Sequence, residues 1–553
     1  MNIRETLSRI IARAAAEVAG GACIPDVMID TPRVKAYGDY ASNIALSLAK
    51  TLRRPPMEIA NDIVSAIGSQ PVITKIEVKP PGFINIFVRD ASAAAGLAAI
   101  LKQGALFGRS GKLAGKRAIV EFVSANPTGP LHIGHARNAA VGDCIARALE
   151  RAGCSVWREY YYNDGGVQMT RLGESLKARY LLIFLKDIEF PEDGYHGDYI
   201  GEIAAQLHAE VKDSWKDKSI TEFSDYAKDW IVKLIDADMI AMGIHFDAKF
   251  NEGDLYTDGR VDAVISELRG RGKVYDSEGA LWLRTTSDGD EKDRVLIKSD
   301  ATKTYLAPDI AYHADKYSRG YDLVINLLGA DHHNYVIRLR AAMRALDFDP
   351  EKLNCIIYQL VTVKRGGEVV KFGKRAGDYI TLHEMISELG QDAVRFFFNM
   401  RRSDSHMVFD WDLAKEHSVK NPVYSIQYAH ARCCSIERKA AELGIMFAGA
   451  GACDYSLLTA HEEQELIRSL AEFPRIVELA GTTFEPHHYT TYLRTIAEQF
   501  NAYFTAGNVT EEMRVILPGN PALSQARLAL ILATRVVLRN ALDALGISAP
   551  EKM

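Results

Sequence analysis

The stretch Glu121-Phe122-Val123-Ser124-Ala125-Asn126-Pro127-Thr128-Gly129-Pro130-Leu131-His132-Ile133-Gly134-His135 decides how this chain is read. A β-rich run, AIVEFV, ends in a polar turn, and helical spacing begins at His132. The spacing predicts a helix over about 132–152, with Gly153 as the residue just past its end. Ile133, Ala136, Ala140, Cys144, Ala148 and Arg151 share one stripe, and its small residues let the helix approach a sheet closely. Two imidazoles beside a glycine at a helix entrance suit a nucleotide. The glycine admits a base or ribose to the backbone, and the imidazoles donate to phosphate oxygens.

Working outward, a second strand, SVWREYYYN, runs into Asn163-Asp164-Gly165-Gly166. Later runs, DLVINLLG and CIIYQLVTV, are apolar on both faces, as strands of a buried parallel sheet must be. Alternating strand and helix predicts an α/β, doubly wound parallel domain over 106–411. A charged, mostly helical insertion at about 175–290 interrupts it. Residues 1–105 predict an α+β unit, with an amphipathic first helix, Ser42 as a cap and a strand pair turning at Pro-Pro-Gly. Residues 412–553 predict an all-α helical bundle. A chain of 553 residues exceeds what one core can organise.

The formal net charge of −6 argues against non-specific coating of nucleic acid, yet permits selective docking on local basic patches. Lys50-Arg53-Arg54 and Arg401-Arg402 are such patches, or solvated faces. No apolar run is long enough to predict a membrane span, and the first helix lacks a signal peptide's apolar segment. Seven scattered cysteines without a C-x-x-C pair predict a cytoplasmic protein with no structural zinc and no metal ligands of its own.

A second chemistry-bearing segment is Lys371-Phe372-Gly373-Lys374-Arg375-Ala376-Gly377. Lysines on glycine hinges suit a leaving pyrophosphate, although alone the segment reads more readily as a solvated basic turn. The two segments together resemble the HIGH and KMSKS signatures of class I aminoacyl-tRNA synthetases. Surrounding stretches resemble the arginyl-tRNA synthetases in particular: YGDYASNIA, PPGFINIFV, VEFVSANPTGPLHIGHARNA, YYYNDGGVQM, YLAPDIAYHADK, NLLGADHHNYV, NPVYSIQYAHAR and the C-terminal VLRNALDALGISAPEKM. The resemblance spans nearly the whole chain. One departure stands out: Phe372, Gly373 and Arg375 replace the signature's Met and two Ser, while both lysines remain.

The resemblance implies a Rossmann-type, HUP-like catalytic domain flanked by tRNA-binding units. It implies that ATP, with Mg²⁺, and L-arginine give arginyl-adenylate and pyrophosphate. The arginyl group then passes to the 3′-terminal adenosine of tRNA(Arg). No protein nucleophile is needed, so positioning and charge stabilisation supply the catalysis. His132, His135, Lys371 and Lys374 would stabilise the transferring phosphates. Pro130, Gly134, Asp331 and His332 would complete the ATP site. A guanidinium is planar, permanently charged and demands forked carboxylates. Glu121 and Asp309 are those expected, with Tyr305 as a hydroxyl partner and Ser124, Asn126 and Gln168 around the substrate's backbone. By pattern alone Asp309 also reads as a helix cap, and Asp331-His332-His333 also resembles a metal site. Expected tRNA contacts are Tyr37, Tyr40 and Asn43 in the first unit and Tyr424, Gln427, Tyr428 and Arg432 in the last. The family expectation is a monomer. A synthetase for cysteine would want a zinc-binding cysteine set, a non-catalytic relative would have lost the histidines or lysines, and a tRNA-independent nucleotidyltransferase would not need the terminal units.

Overall fold

The protein is described by a computed structural model over residues 3–30, 32, 37–88, 91–185, 187–330, 334–370 and 380–553. The chain divides into two compact units. The first contains Met1–Gly104, Lys439–Ala471 and Ala502–Ala533. It opens with α1 (Ile3–Ala19), β1 (Tyr40–Ser42), α2 (Ile44–Leu52), α3 (Pro56–Ile67), β2 (Ile73–Lys79), β3 (Phe83–Val88) and α4 (Ala91–Gln103). The three strands form an antiparallel sheet in the order β1-β3-β2. Leu7 and Ile11 of α1, Leu48 of α2, Ile59 and Ile63 of α3 and Ile84 and Ile86 of β3 form one dry core. Gly38 has φ +97°, and a Cβ there would lie 2.8 Å from the Ile86 carbonyl oxygen, so only glycine fits this crossing of the sheet.

The second unit contains Ala105–Arg438, Glu472–Asn501 and Thr534–Met553. It begins with β4 (Arg117–Glu121), α5 (Ile133–Arg151), β5 (Ser155–Tyr162), α6 (Gly166–Leu182), α7 (Asp198–Val211), α8 (Ile220–Ala241) and β6 (Ala248–Asn251). Then come α9 (Glu252–Thr257), α10 (Arg260–Gly270), β7 (Val274–Ser277), β8 (Ala280–Leu283), β9 (Arg294–Ile297), α11 (Leu306–Ser318), β10 (Leu323–Gly329), α12 (Tyr335–Ala345) and β11 (Leu353–Tyr358). A five-stranded sheet has the order β11-β10-β4-β5-β6, and every neighbouring pair in it is parallel. From β4 the chain winds outward through β5 on one side and later through β10 on the other. The crevice beyond the carboxyl ends of β4 and β10 is therefore the switch point where such sheets bind ligands.

The rest of the chain comprises β12 (Val361–Arg365), β13 (Glu368–Val369), α13 (Leu382–Leu389), α14 (Gln391–Phe398), β14 (Met407–Asp410), α15 (Trp411–Lys415) and α16 (Pro422–Glu442). Helices α17 (His461–Ala471), α18 (Phe473–Thr483), α19 (His487–Val509) and α20 (Pro521–Ala544) complete it. This is the expected doubly wound sheet with an α+β start and a helical end. Three expectations change. CIIYQLVTV is two strands: β11 joins the main sheet, whereas β12 pairs with β13 and β14 in a separate one. The break falls at Gln359–Leu360, where the Gln359 carbonyl accepts from Arg137 Nη1 (2.6 Å) and Leu360 is 74% exposed. The stretch expected to be a helical insertion also contains β6, an edge strand of the main sheet, and the antiparallel sheet β7-β8-β9. Finally, α20 is long and apolar enough to cross a membrane by length and composition, contrary to the expectation of no such run, but 67% of its apolar window is buried inside the protein.

Candidate active site

Helix α5 starts where the sequence places it. His132 is the cap residue, its Nδ1 accepting from the Gly134 amide (3.1 Å), and His135 Nδ1 lies 3.3 Å from the His132 amide. The reciprocal pair satisfies first-turn donors much as a Ser/Glu capping box does. The two imidazole rings stack with centroids 3.8 Å apart. A Cβ at Gly134 would lie 2.9 Å from His132 Cε1, so the glycine keeps this ring in place. Deeper in the helix, a Cβ at Gly142 would meet the Phe122 ring at 2.4 Å, which is how α5 reaches the sheet. Ile133 donates to the Ile380 carbonyl (3.2 Å) and Leu382 to the Leu131 carbonyl (2.7 Å). Ile380, three residues past the lysine-bearing segment in sequence, is thus tied to the histidine turn. Lys371, Lys374, Asp331, His332 and His333 themselves lie outside the described residues.

Between β4 and α5 the backbone bends through two non-glycine residues in the left-handed region, Val123 (φ +65°) and Ser124 (φ +44°). For a β-branched residue this is a strained conformation. Asn138 Oδ1 accepts from the Val123 amide (2.8 Å), and the Tyr160 hydroxyl both accepts from the Ala125 amide (3.2 Å) and donates to its carbonyl (2.8 Å).

Beyond this bend, at the carboxyl edge of the sheet, lies a cavity of about 250 Å³ whose walls include Glu121, Ser124, His135, Tyr161, Asp309 and Tyr335. Helix α11 contributes a polar stripe of Asp309, Tyr312, His313 and Lys316, at i, i+3, i+4 and i+7. Lys316 Nζ, fully buried, donates to Glu121 Oε2 (2.5 Å) and Asn326 Oδ1 (3.0 Å). Asn326 Nδ2 donates to His313 Nε2 (2.8 Å), so the His313 proton sits on Nδ1, where it reaches the Asp309 carbonyl (2.7 Å). Burial, with Lys316 nearby, lowers the His313 pKa to about 3 and keeps the ring neutral. Ser124 Oγ donates to Glu121 Oε1 (3.0 Å).

Asp309 differs from Glu121 in that, among the described residues, no cation forms an ion pair with it. The Tyr335 hydroxyl donates to its Oδ2. Burial, together with the charges of Glu252 and Glu121, raises its pKa to about 7, against the pull of Tyr335 and Lys316. Glu252 accepts from the Tyr161 hydroxyl and from Asn163 Nδ2, each at 2.8 Å, and burial raises its pKa too. Burial thus favours the protonated form of both carboxyls, and a bound cation would favour their charged form.

The expected residues divide accordingly. Glu121, Ser124, His135 and Asp309 line one cavity, with His132, Gly134 and Pro130 on the adjoining turn. Asn126 and Gln168 bond each other (3.0 Å) in a neighbouring polar cluster, where Asn126 Oδ1 accepts from the Asn163 amide (3.1 Å). Asp164 pairs with Lys228 (3.4 Å). Tyr305 is not the hydroxyl partner of Asp309: it is 81% exposed, and only its carbonyl meets the Asp309 amide (3.4 Å). Tyr335 holds that place. Sequence reading missed Tyr335, Tyr161, Glu252, Asn326 and Lys316. Only Lys316 had a signal, its helical spacing from Asp309.

Among the expected RNA contacts, Tyr40 is buried under the Arg4 guanidinium (4.9 Å to the ring) and packs in the core, so it offers no face to a base. Gln427 is also turned inward, donating to Asp392 (2.7 Å) and the Ser548 carbonyl (3.0 Å). Tyr37 is exposed and Asn43 half-buried ahead of α2. On α16, Tyr424 and Tyr428 stack (centroids 6.2 Å apart, planes 10° apart), and Arg432 lies over Tyr428 at 4.5 Å.

A parallel sheet with a histidine turn at its switch point and a helical C-terminal part is the arrangement of class I aminoacyl-tRNA synthetases. Family models agree in three consecutive segments: the arginyl tRNA synthetase N terminal domain matches residues 2–88, the catalytic domain of class I tRNA synthetases (R) matches 96–407, and the DALR anticodon binding domain matches 426–553. The chain is 44% identical over 535 residues to an arginine–tRNA ligase of Syntrophotalea carbinolica, covering 96% of this chain and 95% of that one. It is 45% identical over 543 residues to one of Shouchella clausii, covering 97% and 96%. The solved arginyl-tRNA synthetase of Thermus thermophilus superposes with a TM-score of 0.75 at 25% identity, covering 100% of both chains. The chain belongs to the arginyl-tRNA synthetase family.

Proposed function

We propose that this protein is an arginine–tRNA ligase. It joins L-arginine to AMP at the expense of ATP, then transfers the arginyl group to the 3′-terminal adenosine of tRNA(Arg), releasing AMP and pyrophosphate. The observation that carries this reading is the carboxyl-walled cavity beside His135. Asp309, desolvated by burial, receives the guanidinium, and Tyr335 orients its carboxyl. Glu121, already engaged by Lys316 and Ser124, forms the second acidic wall. A lysine substrate would leave part of this acceptor set unmet in a buried site, which costs about 1–3 kcal/mol per unpaired group.

In this reading the arginine carboxylate attacks the α-phosphorus and pyrophosphate leaves. His132 and His135 donate to the phosphate oxygens as charge builds, and the α5 amides and helix dipole add to the same field. Lys371 and Lys374 follow the β- and γ-phosphates out. Pro130, Gly134, Asp331 and His332 hold the nucleotide, while Ser124, Asn126 and Gln168 position the amino acid. Mg²⁺ arrives with the ATP phosphates and neutralises them, and no cysteine-built zinc is part of the reaction. Tyr37 and Asn43 contact the tRNA elbow, and the Tyr424–Tyr428–Arg432 ladder stacks on unpaired bases. The units divide at about 105 and 411, and the protein acts as a cytoplasmic monomer. Charging of bulk tRNA(s) with each amino acid in turn tests this: arginine alone should be esterified, and charging with another amino acid in its place overturns it.

A further inference from the structure

From the end of α18 into the first turn of α19 the chain reads Phe484-Glu485-Pro486-His487-His488. One carboxylate and two imidazoles from this turn present ligand atoms that all lie within 4.8 Å of one another. His488 Nε2 is hydrogen-bonded to Glu485 Oε2 at 3.2 Å, a contact that an entering ion would replace. Two ligands of a tetrahedral Zn²⁺, each roughly 2.0–2.1 Å from the metal, lie about 3.3 Å apart, so this pair already has the spacing of one edge of such a site. The imidazole rings are 4.2 Å apart. His487 Nδ1 is buried and has no hydrogen-bond partner among the described residues.

From this geometry we infer that Glu485, His487 and His488 form a site for a divalent transition ion, with Zn²⁺ as the preferred class. Imidazole and carboxylate suit a borderline cation, and three protein ligands leave a fourth position for water. The charges that act on the cluster are Arg402, Arg475 and Asp404, and Arg402 Nη2 is 3.2 Å from Glu485 Oε1. That guanidinium has a second acceptor, Asp404, with two contacts of 3.1 Å. Arg402 can therefore release Glu485 without losing its ion pair. The ion's position has a consequence for the unit: the Arg402 carbonyl accepts from Arg137 of α5 (2.9 Å), and Thr490 Oγ1 of α19 donates to the Asn399 carbonyl (3.1 Å). An ion at 485–488 braces the loop against which the histidine-bearing helix is anchored. None of the three ligands belongs to the arginine cavity.

The test uses the full chain, stripped with a chelator and titrated with Zn²⁺ against a chromophoric competitor, then separately with Co²⁺. One equivalent should bind, the Co²⁺ form should show the strong visible absorption of a tetrahedral centre, and the melting temperature should rise with free ion. His488→Ala and Glu485→Gln should each weaken binding at least about tenfold, on the scale of lost metal-site groups. Glu485→Gln keeps the side chain's size, and far-UV circular dichroism of the metal-free variant checks that its fold is retained. Parent and both variants binding equally, or no uptake by the parent, overturns the assignment.

Discussion

Replacing Asp309 by Asn tests the arginine cavity and its electrostatics together. The Asp309 carboxyl titrates near pH 7 instead of the ordinary 3.8 because it is buried beside Glu252 and Glu121. A guanidinium stays protonated throughout this range, so only the protein partner changes charge. In the parent, the arginine KM should fall about tenfold per pH unit as pH rises toward 7, where a unit is worth about 1.36 kcal/mol, and level off above it. In Asp309→Asn the slope should vanish. At pH 8 the arginine KM should rise roughly 10- to 150-fold, the equivalent of a lost charged hydrogen bond of about 1.5–3 kcal/mol. The ATP KM should move less than about twofold, because the Asp309 carboxyl bonds Tyr335 and faces the amino-acid side of the cavity it shares with His135. The stability change runs the other way. A carboxyl whose folded pKa is raised destabilises the fold increasingly from pH 3.8 to about 7 and fully above. Asparagine removes that term, so the variant should melt higher at pH 8, by at most about 4 kcal/mol. Initial-rate charging with arginine or ATP varied at pH 6, 7 and 8, beside thermal melts, supplies every number. A flat parental arginine profile, or equal losses for arginine and ATP, refutes the reasoning.

Other perturbations reach different parts of the site. Lys316→Met leaves the Glu121 carboxylate buried without its cation and should cost about 3–5 kcal/mol in urea unfolding, most of it recovered by adding Glu121→Gln. No recovery would mean that Lys316 acts through packing. Gly134→Ala places a methyl 2.9 Å from the His132 ring, and kcat/KM for ATP should fall at least about tenfold with arginine KM little changed; an unaltered ATP profile removes the turn from the nucleotide site. Tyr428→Ala breaks the α16 ladder and should raise the tRNA KM by about 1–3 kcal/mol equivalent with amino-acid KM constant. Unchanged tRNA dependence places the ladder outside the RNA surface.

Much of this was legible in the chain because local physics and tertiary structure agree. The α5 start was legible because His132 caps the helix with its own side chain, and the parallel strands because sheets covered on both faces need apolar residues throughout. Strand β6 was obscured by its length: Ala248–Asn251 is too short to carry a pattern. CIIYQLVTV hid its break because Leu360 is apolar yet exposed, and the feature that splits it is a guanidinium from α5. Tyr305 was misread for a related reason. It lies four residues before Asp309, but it stands at the helix entrance where only its carbonyl engages, and the hydroxyl comes from Tyr335 across the crevice. Tyr161 and Glu252 likewise meet through space, with no fixed sequence spacing to announce them.

The bend at Val123–Ser124 bears on how this enzyme would fail when heated. Glycine would rest comfortably in such a corner, whereas valine stays there only while Asn138 and the Tyr160 hydroxyl grip the neighbouring amides. Once those grips slacken, the side chain recoils toward ordinary strand angles and Ser124 swings off Glu121, although the sheet beneath is intact. Thermal inactivation should thus precede melting, leaving a correctly folded but incompetent molecule that recovers on cooling.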